Sequence, residues 1–95
     1  MITSSGLKGA TATVFTGGCH IIGIMFVGDT ATEPTLTVYD NTSAAGTVVA
    51  FAMVSDECHT FFAWFGERGI RCVNGIHAVL SAATGDYVIY YDIRP

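Results

Sequence analysis

The spacing of turn residues constrains the fold of this chain more than any other feature of the sequence. Glycine, asparagine and aspartate interrupt the chain about every 8–12 positions, a spacing typical of all-β sandwiches and barrels. The segments between them are rich in valine, isoleucine, threonine, phenylalanine and tyrosine, which favour strands. No long stretch has the helical period of about 3.6 residues. We therefore predict one all-β domain, a single small antiparallel β-sandwich of jelly-roll-like form.

About eight short strands are predicted between the turn residues. They cover Ala10–Phe15, Cys19–Val27, Thr35–Tyr39, Thr47–Val54, Cys58–Phe65, Ile70–Val73, Ile76–Ser81 and Tyr87–Ile93. Residues 1–6 are mostly small and polar and are predicted to form a flexible N-terminal arm. Residues 7–95 are then the sandwich domain.

Turn chemistry assigns roles to residues at the ends of these strands. An Asn-Gly pair between two apolar segments is the strongest short-range signal for a β-hairpin, and Gly85-Asp86 is a second candidate. Side chains after Tyr39 are expected to fold back onto the backbone, and a glycine can supply a positive φ at the end of that loop. The predicted structural turn residues are Asp40, Asn41, Gly46, Asn74 and Gly75.

The composition indicates that part of the surface is covered by another subunit. Charged residues make up 13% of the chain, against about 25% in a typical soluble domain, and hydrophobic residues make up 51%. A domain of 95 residues buries only about 60–65% of its unfolded surface, so its own core cannot hide all of these side chains. Large exposed apolar patches on soluble proteins mark interaction sites.

Several predicted strands are apolar on both faces, although a strand of a two-sheet sandwich has only one inner face. The extreme case is Cys58–Phe65, whose aromatic residues alternate between the two faces. We predict a homo-oligomer, a trimer, that covers the outer apolar residues. The alternative is that the aromatic residues lie half-buried at a sheet edge or in a loop. The residues predicted at an oligomer or partner interface are Phe61, Phe62, Trp64, Phe65, Phe51 and Met53.

Charge and hydropathy exclude other partners. The four basic residues do not cluster, so we expect no nucleic acid. The longest apolar segment, Ile21–Val27, is much shorter than the roughly 20 residues of a membrane span, so we expect no membrane partner. The start of the chain lacks the apolar segment of a signal peptide. The three cysteines are therefore expected to be reduced and mostly buried, and a disulfide would require an oxidising location outside a cell.

No pattern in the chain predicts catalysis or metal binding. The potential zinc ligands include two Cys-His dipeptides, but neighbouring residues in a strand point to opposite faces and rarely reach one metal. These potential ligands are Cys19, His20, Cys58, His59, Cys72 and His77. The sequence has neither a nucleophile motif nor a glycine-rich phosphate loop. We predict no enzyme activity, no metal and no cofactor.

Parts of the sequence resemble small structural proteins of tailed bacteriophages. In Leu36–Val48 a strand ending in Tyr-Asp-Asn leads through a loop of small residues and a glycine into the next strand. In Val73–Val79 and Thr84–Tyr91 an Asn-Gly turn, a strand, a short glycine loop and a tyrosine-rich last strand follow one another. These stretches fall within about the last two thirds of the chain.

The resemblance implies a non-enzymatic virion component with a β-sandwich fold and no catalytic residues. Such a component is a head decoration (cement) protein or a tail-associated subunit. Its implied partners are copies of itself and the major capsid protein or another virion protein. Its implied location is the virion, assembled in the host cytoplasm. A cyclic trimer suits this role because shell lattices offer local three-fold points.

Two other functions stay open at this point. Aromatic residues could form a sugar-stacking platform in a tail or fibre module that binds a receptor or glycan. The aromatic candidates for this platform are Tyr39, Trp64, Tyr87, Tyr90 and Tyr91. The chain could also be a cellular oligomeric sandwich domain that has no affinity for phage shells.

Overall fold

The computed structural model describes residues 2–28, 34–54, 60–81 and 85–93 of the chain. Within these ranges the protein consists of strands joined by turns and bends, as the sequence predicts. The strands are β1 (Ile2–Ser4), β2 (Ala12–Thr16), β3 (Cys19–Gly28), β4 (Thr35–Tyr39), β5 (Val48–Met53), β6 (Thr60–Trp64), β7 (Ile70–Cys72), β8 (Gly75–Leu80) and β9 (Gly85–Asp92). None of the described residues belongs to a helix that could cross a membrane.

The strands pair antiparallel in two sheets. Sheet A has the order β1-β9-β3-β6, with β7 also paired to β3, and sheet B has the order β2-β8-β4-β5. Four sets of pairs follow the pattern of one long antiparallel hairpin that begins at the two chain ends. They are β1 with β9, β2 with β8, β3 with both β6 and β7, and β4 with β5. Folding this hairpin onto itself adds the pairs β3/β9 and β4/β8 and gives a jelly roll. The predicted fold class is confirmed.

The structure adds a ninth strand where the sequence predicts a flexible arm. Strand β1 pairs with residues 90–92 of β9, and the Ser5 N–H donates to the Ile89 carbonyl (2.9 Å). The prediction of an arm is therefore wrong for Ile2–Ser4. A three-residue strand is too short to show an alternating pattern, and its partner lies at the far end of the chain.

A β-bulge changes which residues of β3 face the core. Simple alternation predicts Ile22 on the same face as Ile24 and Phe26, but Ile21 joins them in the core instead. The bulge lies between Ile21 and Gly23 in the pairing with β9, and its extra residue shifts the alternation by one position. Ile22 is buried outside the main core cluster, with its Cδ1 close to the backbone of the turn before β7.

Neither Asn74-Gly75 nor Gly85-Asp86 closes a hairpin, so this part of the prediction is wrong. Strands β7 and β9 belong to sheet A, whereas β8 belongs to sheet B. Asn74 lies where the chain crosses from β7 to β8, whereas Gly85 and Asp86 begin β9 and pair with Gly28 and Val27 of β3. Among the described strands, β4 and β5 are the only neighbours in sequence that pair with each other. Some residues of the predictions lie outside the described residues. These are Cys58 and His59, predicted in a strand and counted among the potential zinc ligands, and Thr84 of the resembling stretch Thr84–Tyr91.

We expect Gly75→Ala to destabilise the protein by about 2 kcal/mol or more. Gly75 has a φ of 146°, and a Cβ there would collide with the carbonyl oxygen of Phe15 in β2. Gly66→Ala is a matched control, because Gly66 has a φ of 87° but nothing within 4 Å of its Cβ position. The control should cost about 1 kcal/mol. Urea unfolding measures both free energies, and equal values would contradict the close approach at Gly75.

Candidate assembly surface

Strands β5 and β6 form one side of the sandwich. β5 is the outermost strand of sheet B beside β4, and β6 is the outermost strand of sheet A beside β3. In the jelly roll, β3 and β4 face each other across the core, so β5 and β6 lie at the same side. We call this surface the β5–β6 side.

The β5–β6 side lacks most of the usual protection of a sheet edge. Proteins protect edge strands with charged residues, proline, bulges or very short strands. The sequences Val-Val-Ala-Phe-Ala-Met of β5 and Thr-Phe-Phe-Ala-Trp of β6 contain neither a charge nor a proline. β5 has one bulge, near its start, where the pairing shifts between Val38 and Tyr39 of β4. Edges of this kind favour contact with another chain.

Four of the predicted interface residues are exposed on this side, and Val48 of β5 is exposed as well. On the outer face of β6, Phe62 is 59% exposed and Trp64 is 53% exposed. On the outer face of β5, Phe51 is 52% exposed and Met53 is 61% exposed. These are four of the six residues predicted at an interface. Because β5 and β6 belong to different sheets, Phe62 and Trp64 lie on the outer face of sheet A, and Phe51 and Met53 lie on the outer face of sheet B. The two faces meet at the β5–β6 side.

The other two predicted interface residues have different surroundings. Phe61 packs against the hydrophobic core and does not belong to the candidate surface, so its predicted interface role is wrong. Phe65 follows the end of β6, where its N–H donates to the Ile22 carbonyl (2.7 Å) and its side chain is partly exposed. Successive side chains of a strand point to opposite faces, so Phe61 lies on the inner face of β6 while Phe62 and Trp64 lie on the outer face.

Three aromatic rings form a continuous surface on the outer face of sheet A. Trp64 is paired with Gly23 of β3, and a Cβ on Gly23 would lie only 2.7 Å from Trp64 Cε3. The Phe62 and Trp64 rings are nearly parallel, with 6.4 Å between centroids and 5° between planes. The Tyr90 ring lies 6.2 Å from Trp64 at 55°. We call Phe62, Trp64 and Tyr90 the aromatic surface.

The structure separates the five aromatic residues of the predicted sugar platform. Tyr87 and Tyr91 are buried in the core, and the Tyr87 hydroxyl donates to the Ala10 carbonyl (2.7 Å). Burial raises the pKa of Tyr87. Tyr39 lies in sheet B, which leaves Trp64 and Tyr90 together in sheet A. The platform predicted from all five residues is therefore wrong.

Gly23 has a role in this surface that sequence reasoning does not identify. Its lack of a side chain leaves room for the Trp64 ring, and it is also paired with Tyr90 on its other side. The local sequence contains no turn at this position and gives no reason to connect it with β6 or β9. Only the pairing of distant strands shows why a glycine stands here.

The Asp40 carboxylate connects two distant turns at one end of the sandwich. Its Oδ1 accepts hydrogen bonds from the N–H groups of Asn74 (2.8 Å) and Gly75 (3.4 Å), and its Oδ2 accepts one from Val73 (3.1 Å). Partial burial acts to raise the pKa of Asp40, but the hydrogen bonds from Asn74, Val73 and Gly75 outweigh it, and the net pKa is lowered. The β4–β5 loop is thereby fixed to the crossover from β7 to β8.

The remaining predicted turn residues organise the same end of the molecule. The Asn41 side-chain amide donates to the Ala45 carbonyl (2.9 Å), and its Oδ1 accepts from the Thr42 N–H (2.8 Å). Gly46 has the predicted positive φ, 90°. The Asn74 carbonyl accepts from the Gly17 N–H (3.0 Å), which adds the β2–β3 turn to this end. The five residues predicted from turn chemistry thus all lie in or next to the turns at this one end of the sandwich.

The described cysteines and histidines do not converge on one site. Cys19 and Cys72 are buried opposite each other in the β3/β7 pair. The next residue, His20, is less buried, and its Nδ1 has no hydrogen-bond partner in the described part of the chain. His77 Nδ1 hydrogen bonds with Thr13 Oγ1 (2.9 Å) in sheet B. Among the described residues, no group of three potential ligands comes together to hold a metal ion.

Comparison with known proteins gives no relative for this chain, since no family model, no curated protein and no solved structure matches it. The jelly roll itself hosts many unrelated functions, so fold alone does not identify one.

We expect Asp40→Asn to lower the free energy of unfolding by about 1–2 kcal/mol at neutral pH, because the variant removes the charge that strengthens three partly exposed hydrogen bonds. The pKa of Asp40 is lower in the folded state than in the unfolded state. The carboxylate therefore stabilises the fold above the unfolded value of about 3.9, and this contribution is lost as the pH falls below it.

Urea unfolding of the wild type and Asp40→Asn at several pH values checks this expectation. The difference between the two proteins should shrink below a pH of about 4. Asp86→Asn is the control, because it removes the same charge from an exposed residue and should change stability by no more than about 0.5 kcal/mol. A difference that stays constant with pH would contradict a stabilising role for the Asp40 charge.

Proposed function

We propose that this chain is a non-enzymatic structural protein that assembles with copies of itself through the β5–β6 side. One observation carries the proposal: the two edge strands of the β5–β6 side contain no charged residue and expose five large apolar side chains, Val48 in addition to Phe51, Met53, Phe62 and Trp64. Such an edge is a template for pairing with another chain. Assembly would cover it, and the form we propose is a closed trimer.

Burial of the exposed side chains provides the driving force for assembly. Complete burial of a phenylalanine or methionine side chain contributes about 1.5–3 kcal/mol, and these residues are about half exposed in the single chain. Each contact buries residues from two subunits, which offsets part of the entropy cost of association. Because β5 and β6 carry no charge, the contact between these strands buries no unpaired ion of their own.

The setting that we propose is the particle of a tailed bacteriophage, where the oligomer stabilises the shell as a decoration (cement) protein. Two features support this setting. The first is the resemblance of Leu36–Val48, Val73–Val79 and Thr84–Tyr91 to small phage structural proteins, and the second is the jelly roll, a fold that viral capsid proteins also use. In a closed ring, each subunit adds a weak contact with the major capsid protein, and the ring makes the total strong. A tail-associated subunit is the other location within the same particle.

We expect the wild-type chain to form a discrete oligomer of about three times the 10.0 kDa chain mass. Phe62→Glu and Trp64→Glu should shift it to monomer, because each variant introduces a charge that assembly would bury. Light scattering on a sizing column at several concentrations measures the mass. Leu7→Glu is the matched control, since Leu7 is 68% exposed and lies outside the β5–β6 side.

A cooperative unfolding transition in both glutamate variants shows that they fold. Oligomers of unchanged mass from both variants would contradict an interface on β6. A wild-type chain that is monomeric at all concentrations would contradict assembly itself and would leave the aromatic surface free for a ligand.

A receptor- or glycan-binding module of a tail or fibre is the second candidate function. The observation that favours it is the aromatic surface, in which the parallel Phe62 and Trp64 rings lie beside Tyr90. Exposed aromatic rings can stack on the apolar faces of sugar rings while a tyrosine hydroxyl offers a hydrogen bond. Trp64 is the only tryptophan of the chain, so its fluorescence would report directly on a sugar bound there.

The virion setting has a test of its own. Virus particles isolated from the source that carries this gene are expected to contain the chain in a fixed ratio to the major capsid protein, as measured by quantitative mass spectrometry. A stable oligomer that is missing from such particles would contradict the virion setting while leaving assembly intact. The chain would then be a cellular oligomeric sandwich domain.

A further inference from the structure

The fold brings Cys19 and Cys72 together although they are far apart in the sequence. Cys19 begins β3 and Cys72 ends β7, and the two residues are directly opposite each other in the antiparallel pair. Both side chains are fully buried and belong to the core cluster. Opposite Cα atoms of antiparallel strands lie about 4.5–5.5 Å apart, within the range of about 4.4–6.8 Å that disulfides span.

Contacts on both sides of β7 hold Cys72 in this position. Before the strand, the Phe65 N–H donates to the Ile22 carbonyl (2.7 Å), which ties the preceding segment to β3. After the strand, the N–H groups of Val73 and Asn74 donate to the Asp40 carboxylate (3.1 and 2.8 Å). The three β3/β7 pairs, Cys19 with Cys72, His20 with Arg71 and Ile21 with Ile70, set the register of β7, and a bond between the sulfurs requires no strand shift.

We propose that Cys19 and Cys72 form an intrachain disulfide when the folded protein meets a low-molecular-weight disulfide such as glutathione disulfide. The Cys19 thiolate attacks one sulfur of the small disulfide, forms a mixed disulfide and releases one small thiol. Cys72 then loses its proton, attacks the Cys19 sulfur and displaces the second small thiol. Two protein S–H bonds and one small S–S bond are replaced by one protein S–S bond and two small thiols.

The order of attack follows from the environment of the two sulfurs. The hydrogen bond with the Cys72 thiol lowers the pKa of Cys19, although burial acts in the opposite direction. The same hydrogen bond, together with burial, raises the pKa of Cys72. Cys19 is therefore the better thiolate. Local opening of the three-residue strand β7 gives the small disulfide access to it.

The disulfide would fasten β7 to the centre of sheet A and close the loop of residues 19–72. A covalent loop of this length strongly restricts the unfolded chain and stabilises the folded one. The bond forms within one chain and does not require assembly. It would convert the reduced protein expected in a cytoplasm into a more stable form under oxidising conditions.

The test uses Cys58→Ser, which leaves Cys19 and Cys72 as the only cysteines. After incubation of the folded variant with glutathione disulfide, we expect an intact mass lower by two hydrogens. Trypsin cleavage after Lys8, Arg68 and Arg71 should then leave peptides 9–68 and 72–95 joined without reductant. The oxidised variant should have a Tm higher by about 10 °C or more than the reduced one.

Two further variants assign the bond. Cys58→Ser combined with Cys19→Ala should give no joined peptides. Cys19→Ala alone keeps Cys58 and Cys72, and an equally fast link in that variant would overturn the assigned pair. Retention of two free thiols in folded Cys58→Ser, a link that forms only after unfolding in urea, or a Tm that does not rise on oxidation would each overturn the proposal.

Discussion

The pairing of β3 with β9 is the interaction on which the rest of the structure depends. It joins an early strand to the last one through eight registered residue pairs, and it forms the centre of sheet A. β1 pairs on the free side of β9, and β6 and β7 pair on the free side of β3. The inward side chains of these two central strands supply a large part of the core, namely Cys19, Ile21, Ile24, Phe26, Tyr87, Ile89 and Tyr91. Every other strand of sheet A is positioned by one of these two strands.

The features that could be predicted from the sequence are those that depend on neighbours along the chain. Strand β4 was predictable because Leu36 and Val38 alternate with threonines, and its bounds Thr35–Tyr39 are found unchanged. The turn role of Asp40 follows from its side-chain chemistry, but its partners at residues 73–75 come from a distant part of the sequence. Pairing between distant strands leaves no local pattern, which is why β1 and the two crossovers were predicted wrongly.

The same distinction applies to the candidate surface. Alternation within β6 predicts that Phe62 and Trp64 share a face, since this depends only on the strand itself. The place of Gly23 under Trp64, and of Tyr90 beside it, depends on strands that are joined by long-range pairing. Likewise, the bulge at Ile22 reverses the expected faces at the start of β3, and the apolar sequence there contains no signal for it. A uniformly apolar segment indicates burial but does not indicate register.

The two sides of the sandwich differ in a way that bears on the form of the assembly that we propose. On one side, β1 has only three residues, and β2 contains a bulge in its middle and presents threonines. Short or bulged strands discourage pairing with further chains. On the other side, β6 pairs without a bulge and β5 has a bulge only near its start, and both strands expose large apolar side chains. A filament that grows by adding strands at sheet edges needs a contact side at each end of the subunit. When only one side of the subunit makes contacts, the copies gather around a common axis. For the proposed assembly, the asymmetry therefore favours a closed ring of copies over an open chain of them.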